Sequence, residues 1–303
     1  MRVLERSHFV SDDVDTIAQV LKRAAGITFN RGLVGTLNAA YQAASADLGI
    51  DPATCLRRLT AGEPEAVAAF VERAVVSETY FFRQAEHFQL LTSMMIGALG
   101  HPSPLRIWSA GCATGEESYS AAIALLGAGR LGDRIVATDI SRTALARAQA
   151  GRFAAWSFRR MDPKLRARFF QEEGTGWRLS APVRRAVQFS QHNLVTEPPP
   201  ANDFHVVFCR NVLIYFEGEQ LRKVLQSLVS ALVPGGFLVV AVPELPLVAE
   251  LPVERVEHEG VVVYRKVEKV RTADAPKRPV AAARSSPRRA LTPVPRTAVI
   301  QKG

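Results

Sequence analysis

The strongest chemical signal in this chain is a short set of glycines and carboxylates: Gly111, Gly115, Glu116, Glu117 and Asp139. The glycines bound the turn Ala110-Gly-Cys-Ala-Thr-Gly115, directly after the apolar run Leu105-Arg-Ile-Trp-Ser109, and Asp139 ends the next run, Ile135-Val-Ala-Thr-Asp139. Strand, glycine turn, helix, then an acid closing the next strand is the general scheme of a Rossmann-type nucleotide site, where the acid reaches ribose hydroxyls. The spacing is not the GxGxxG of dinucleotide sites. Glu116 and Glu117 fall where a dinucleotide enzyme places pyrophosphate against free helix N–H groups, and two carboxylates there repel phosphate. A nucleoside ligand with cationic groups in place of phosphate fits better. S-adenosylmethionine has that chemistry: a ribose for Asp139, and an ammonium and a sulfonium to offset carboxylates. Two other roles stay open. Thr114-Gly-Glu-Glu117 has capping-box form, with Thr114 and Glu117 satisfying each other's backbone donors, and Asp139 could simply cap the following helix.

Other chemistries find little footing. There is no G-x-S-x-G, no P-loop, and no His pair at metal spacing among six scattered histidines. Cys55, Cys112 and Cys209 are an odd count without CxxC or other zinc spacing, which points to a reducing compartment and neither disulfide nor metal. Glu197-Pro-Pro-Pro reads as a rigid loop. Met1–Val10 has no apolar h-region, so no secretory signal is expected. The apolar stretch from Phe237 to Val253 is too short and too broken by Glu244, Glu250 and prolines to span a bilayer. The expected location is the cytoplasm. Of the net charge of +9, +7 resides in the end of the chain: from Val270 on, eight Lys and Arg face Asp274 alone, while the remainder holds thirty basic and twenty-eight acidic residues. The basic balance is therefore no argument for sequence-specific nucleic-acid binding.

Several kinds of element must position these groups. Before Leu105 the pattern is helical: Ser11-Asp-Asp13 caps a helix bearing Val14, Ile17, Val20 and Leu21. Further helices are expected over about 33–47, from Asp51-Pro52, from Glu63-Pro64, and over about 86–99. From Leu105 strands and helices alternate. Strands are expected at 105–109, 135–139, 203–210, 237–242 and 260–265, and helices at 116–127, after Ser141, and at 218–232. This predicts a mainly parallel, three-layer α/β sheet. Between 165 and 193 the segments around Trp177–Leu179 and Val187–Phe189 suggest a small antiparallel hairpin. After Val270 the composition predicts a disordered basic tail.

Four segments, taken together, resemble the CheR-type chemotaxis methyltransferases: Ser77-Glu-Thr-Tyr-Phe-Phe-Arg83, Trp108-Ser-Ala-Gly-Cys-Ala-Thr-Gly-Glu-Glu117, Ala137-Thr-Asp139 and Phe208-Cys-Arg-Asn-Val-Leu-Ile-Tyr-Phe216. The resemblance runs through roughly residues 8 to 266. It implies a Rossmann-like methyltransferase sheet (85–268) behind an N-terminal all-α domain and linker (1–84), with a small β-subdomain inserted at about 171–192 and the tail over 269–303. It implies transfer of a methyl group from S-adenosylmethionine to glutamate side chains on the cytoplasmic domains of chemoreceptors. Carried over by position, Ser77, Thr79, Arg83, Glu117, Asp139, Asn193, Leu194, Arg210 and Asn211 would form the cofactor pocket. Arg83 and Tyr215 would orient the substrate carboxylate.

Three departures from the family pattern stand out, the first of them bearing on the substrate. The second N-domain helix, rich in arginine in well-studied members, has no basic residue over Gly32–Asp47, and Arg31 only precedes it. The insert after Gly174-Thr-Gly176 is short, so tight tethering to a receptor's C-terminal peptide is not expected. Pro243-Glu-Leu replaces the common Ser-Glu-Asn, keeping Glu244 but not its neighbours. A monomer is expected. The alternative to the methyltransferase is a cofactor-binding regulatory or scaffold protein of the same fold without receptor methylation.

Overall fold

The computed structural model describes residues 11–28, 34–130 and 132–267. Met1–Val10, Arg31 and the tail expected over 269–303 lie outside the described residues.

Four helices come first: α1 (Ser11–Ala25), α2 (Val34–Asp47), α3 (Pro52–Thr60) and α4 (Pro64–Ala74). Their starts follow local chemistry. Asp51 caps α3 by accepting from the Thr54 amide at 2.9 Å, and Pro52 and Pro64 occupy first-turn positions where no N–H is needed. Ile17, Leu21, Leu37, Tyr41, Leu59 and Phe70 make their shared core. The apolar side of α2 is spent in that core: Leu37, Ala40, Tyr41 and Ala44 are buried, and the helix carries no basic residue in its last turn and no acid in its first. Helix α5 (Ala85–Leu90) then runs through a π-helical turn (Leu91–Met95) into α6 (Ile96–Ala98).

The sheet begins with β1 (Arg106–Ala110), followed by α7 (Glu116–Gly127), β2 (Arg134–Asp139) and α8 (Arg142–Ala150). Later come β6 (Val187–Gln191), β7 (Phe204–Phe208), α11 (Gly218–Ser230), β8 (Leu232–Val239), β9 (Val253–His258) and β10 (Val261–Lys266). Seven strands lie in the order β6-β2-β1-β7-β8-β10-β9, the first five parallel and β10 antiparallel to both β8 and β9. The pleat sends alternate residues to opposite faces. Ile107, Val206 and Phe208 join the core beneath α7, while Trp108, Ala110, Val207 and Cys209 join the core beneath α11. Burial on both faces is why these strands read as continuous apolar runs.

Three details differ from the sequence reading. Strand β8 starts at Leu232, so the Pro234-Gly-Gly segment lies inside a strand rather than before it. Strand β9 was not expected: Val-Glu-Arg-Val-Glu-His is a polar edge strand, with too little burial to mark it. Trp177–Leu179 belongs to a small sheet of β3 (Arg152–Phe153), β5 (Gly176–Leu179) and β4 (Phe170–Glu173). Its expected partner, Val187–Phe189, does not join that sheet. The short helix α10 (Ala181–Arg185) turns the chain back, and Val187–Gln191 pairs in parallel with Ile135–Asp139 as β6.

Candidate active site

A cleft with an empty volume of about 1000 Å³, counting its open mouth, lies at the carboxyl ends of β1, β2 and β7. That is the position ligands take in open α/β sheets. Ala74 at the end of α4, and Val75, Val76, Glu78, Thr79 and Arg83 from the connection to α5, line it, together with Ala25 at the end of α1 and Ile27 after it.

The glycine turn is built as the sequence requires. The amides of Gly111 and Cys112 both donate to the Thr138 carbonyl, at 2.8 and 2.9 Å, tying the turn to the end of β2. Gly111 has φ +76°, and a Cβ there would lie 2.5 Å from Val212 Cγ2. Gly115 has φ +91°, with a Cβ that would meet Ala148 Cβ at 2.9 Å and Phe189 Cζ at 3.1 Å. Only glycine fits such contacts at positive φ.

The two glutamates after it diverge. Gly115 is the N-cap of α7 and gives no side-chain cap, so the capping box does not form. Thr114 Oγ1 instead donates to Glu116 Oε2 at 2.6 Å, and Ser157 Oγ donates to Glu116 Oε1 at 2.9 Å, which holds Glu116 away from the cleft. Glu117 lines the cleft, accepts from Ser109 Oγ at 2.7 Å, and faces Arg210 Nη1 at 3.4 Å. Burial pushes the Glu117 carboxyl above its ordinary range, against the opposing pull of Arg210 and Ser109. Burial likewise lowers Arg210, with Glu117 pulling the other way. Desolvation thus outweighs pairing for both partners.

Asp139 also lines the cleft. Its Oδ2 accepts from the Ala113 amide at 2.8 Å and its Oδ1 from the Ser141 amide at 2.9 Å, so it ties the glycine turn to the start of α8. The helix cap is Ser141, whose Oγ accepts from the Ala144 amide at 3.0 Å, and not Asp139. Burial raises the Asp139 carboxyl above its ordinary value, with these amides opposing.

The structure brings Thr79, Arg83, Asn193, Leu194, Arg210, Asn211 and Tyr215 to the same cleft. Ser77 is not among its lining residues, although Val76 and Glu78 on either side are. Asn193 Nδ2 donates to the Ala24 carbonyl at 2.8 Å, joining the end of α1 to the sheet. Arg210 is buried: Nη2 donates to the Gln84 Oε1 at 2.8 Å and to the Arg83 carbonyl, and its Nε has no partner. Tyr215 is half-buried rather than core, and burial raises its phenol while nearby Arg83 lowers it. Its backbone carbonyl accepts from the Thr28 amide at 2.8 Å, a second tie to the N-terminal helices.

Glu244 organises this rim without touching the cleft. Fully buried, it accepts from the amides of Asn211, Val212, Leu213 and Ala241 at 2.7 to 2.9 Å. Its carboxylate holds the loop that carries Asn211, at φ +61°, and Tyr215. Sequence reasoning marked Glu244 as a survivor of an altered segment without giving it a role. Ile27, Glu78 and His192 also line the cleft and were missed. Glu78 lies within the Ser77–Arg83 segment, whereas nothing in the local sequence of Ile27 or His192 points inward.

The donor set suits the cofactor inferred from the sequence. Glu117 and Asp139 face a cleft whose glycine turn carries no cation for phosphate; of the two lining arginines Arg210 is engaged with Glu117, and the third lining carboxylate, Glu78, is paired with Arg159. Among the described residues no helix is long and apolar enough to cross a membrane.

Comparison with known proteins agrees. A family profile described as "CheR methyltransferase, SAM binding domain" matches residues 77–248. The chain is 35% identical to the probable biofilm formation methyltransferase WspC of Pseudomonas aeruginosa, over 71% of this chain and 52% of that protein, so the match spans about half of WspC. It is 33% identical to the chemotaxis protein methyltransferase Cher2 of Pseudomonas putida, over 57% of this chain and 68% of that one. With chemotaxis protein methyltransferase 1 of Pseudomonas aeruginosa the identity is 35%, over 57% and 68%. With the profile covering more than half the chain, and the cleft built from the segments it spans, the chain belongs to the CheR methyltransferase family and carries that family's S-adenosylmethionine-binding domain.

Proposed function

We propose that this protein methylates glutamate side chains on the cytoplasmic domains of chemoreceptors, acting as a protein-glutamate O-methyltransferase in a chemosensory pathway of the cytoplasm. The observation that carries this reading is the make-up of the cleft lining. It holds the carboxylates Glu117 and Asp139 together with Arg83 and Tyr215, and the third lining carboxylate, Glu78, is paired with Arg159. Glu117 and Asp139 suit a cationic nucleoside; Arg83 and Tyr215 suit an anionic acceptor.

Bound S-adenosylmethionine supplies a methyl group activated on a sulfonium. The chain's own residues then have modest tasks. Asp139 would accept from ribose hydroxyls, Glu117 would take the methionine or ribose side, and Asn193 and Leu194 would flank the adenine. Arg83 and Tyr215 orient the acceptor carboxylate. A glutamate is already ionised near pH 7, so no general base is required. Catalysis rests on alignment and exclusion of water, and good alignment alone lowers a barrier by up to about 7–11 kcal/mol. A guanidinium suits the task because its planar fork matches a carboxylate and stays charged.

The partner is reached differently from the better-known pattern. Helix α2 offers no basic surface, and the insert turn Gly174-Thr-Gly176 is short. We read both as recognition without an arginine-rich helix and without a tight C-terminal-peptide tether, by a monomer. The basic-free α2 also favours a second reading, a cofactor-binding regulatory protein that has lost receptor methylation. Incubation with methyl-labelled S-adenosylmethionine and membranes bearing the chemoreceptors of the source organism separates the two. Label on receptors, lost in Arg83→Ala, supports the first; cofactor binding by calorimetry with unlabelled receptors supports the second.

A further inference from the structure

Arg83 is held without a carboxylate. The ion pairs beside the cleft among the described residues are Arg159–Glu78 at 2.9 Å and Arg210–Glu117 at 3.4 Å, and Arg83 belongs to neither. Its anchors are a 3.3 Å bond from Nη1 to the Glu78 carbonyl and the Tyr80 ring, whose centre lies 5.7 Å from its guanidinium carbon. The same ring receives Arg159 at 3.8 Å, and Arg159 also lies 4.3 Å from the Trp156 ring. Arg159 is pinned on both sides: Nη1 donates to the Trp156 carbonyl and Nη2 to the Glu78 carboxylate, each at 2.9 Å. Tyr80 itself is outside the cleft lining.

A guanidinium that must grip an incoming carboxylate has conflicting needs. It has to be fixed in place, remain charged, and keep N–H donors unspent. A protein carboxylate would fix it but would compete with the acceptor. An aromatic ring attracts a cation through its quadrupole and takes no N–H donor. The second cation on the ring, Arg159, has its charge offset by Glu78, which limits repulsion between the two guanidiniums.

We propose that Tyr80 and Arg159 are positioning residues that hold Arg83 at the cleft by ring contact, leaving its donors free apart from the one on the Glu78 carbonyl and making the cleft selective for an anionic acceptor. This rests on the methyl-transfer reading above. The test compares Tyr80→Leu, which keeps bulk without a π face, with Tyr80→Phe, which keeps the face. In Tyr80→Leu the KM for receptor should rise and kcat should fall, together costing about three- to tenfold in kcat/KM. The calorimetric affinity for S-adenosylmethionine should not change, and Tyr80→Phe should restore most of the loss. Full activity in Tyr80→Leu, an equal loss in Tyr80→Phe, or a parallel loss of cofactor affinity would each overturn the proposal. Should the wild-type protein label no receptor, the functional reading fails first, and the Arg83 Nε–H resonance decides the stack on its own. Assigned through Arg83→Lys, it should shift in Tyr80→Leu but not in Tyr80→Phe; no shift in either variant overturns the proposal.

Discussion

Replacing Glu244 by glutamine tests whether one buried carboxylate holds the catalytic rim. Oε1 accepts from Val212 and Leu213 at 2.7 and 2.8 Å, and Oε2 accepts from Asn211 and Ala241, both at 2.9 Å. An amide offers one acceptor oxygen and one NH2 group. Whichever way it turns, two backbone donors lose their acceptor and face another donor. Each hydrogen bond to a charged group contributes about 1.5–3 kcal/mol. Losing two, and weakening two more to neutral bonds, is partly offset by no longer burying a charge, so we expect a net loss of about 3–4 kcal/mol. For a chain of this size that lowers Tm by roughly 5–6 °C. Urea unfolding of Glu244→Gln should show a lower midpoint at an unchanged slope, and methyl transfer should fall with it because Asn211 and Tyr215 ride on the released loop. A loss below about 1 kcal/mol would refute this account, since four such bonds cannot be broken or weakened that cheaply.

Other consequences follow from the same geometry. Burial raises the Glu117 and Asp139 carboxyls, so both take up protons above their ordinary values of 4.5 and 3.8. A cationic ligand favours their charged forms, so S-adenosylmethionine binding should release protons. Its Kd should rise as pH falls from neutral toward that raised range, and calorimetry on Glu117→Gln should show a flatter profile. The sign for folding is opposite: these raised carboxyls favour the unliganded fold at lower pH, and their contribution is lost as pH rises through the raised values. Gly111→Ala places a Cβ 2.5 Å from Val212 at φ +76° and should cost about 1–3 kcal/mol in urea unfolding, with weaker cofactor binding.

Much of the scaffold was legible because local chemistry agreed with the global fold. Asp51-Pro52 and Ser141 start helices α3 and α8 as their caps demand, and the apolar runs of β1, β2 and β7 are buried on both faces. Strand β9 escaped because an exposed edge needs no apolar pattern, and Val187–Phe189 was misplaced because its parallel partner lies fifty residues earlier in the chain. At the site, the choice left open for Glu117 depended on which way a side chain turns. Ser109 and Arg210, from two different strand ends, decide it. Glu244 shows the same limit: its worth lies in four amides, three of them some thirty residues away, and no local motif announces that convergence. Ser77 shows the converse, a motif position that the fold leaves outside the cleft lining.

The central claim is methyl transfer to a carboxylate, and the lability of the product tests it most directly. Receptor membranes labelled by the protein and methyl-labelled S-adenosylmethionine should release their label as volatile methanol in mild base, as carboxyl esters do. Arg83→Ala should leave no such label. Label that survives mild base, as N-methyl groups do, would contradict the account.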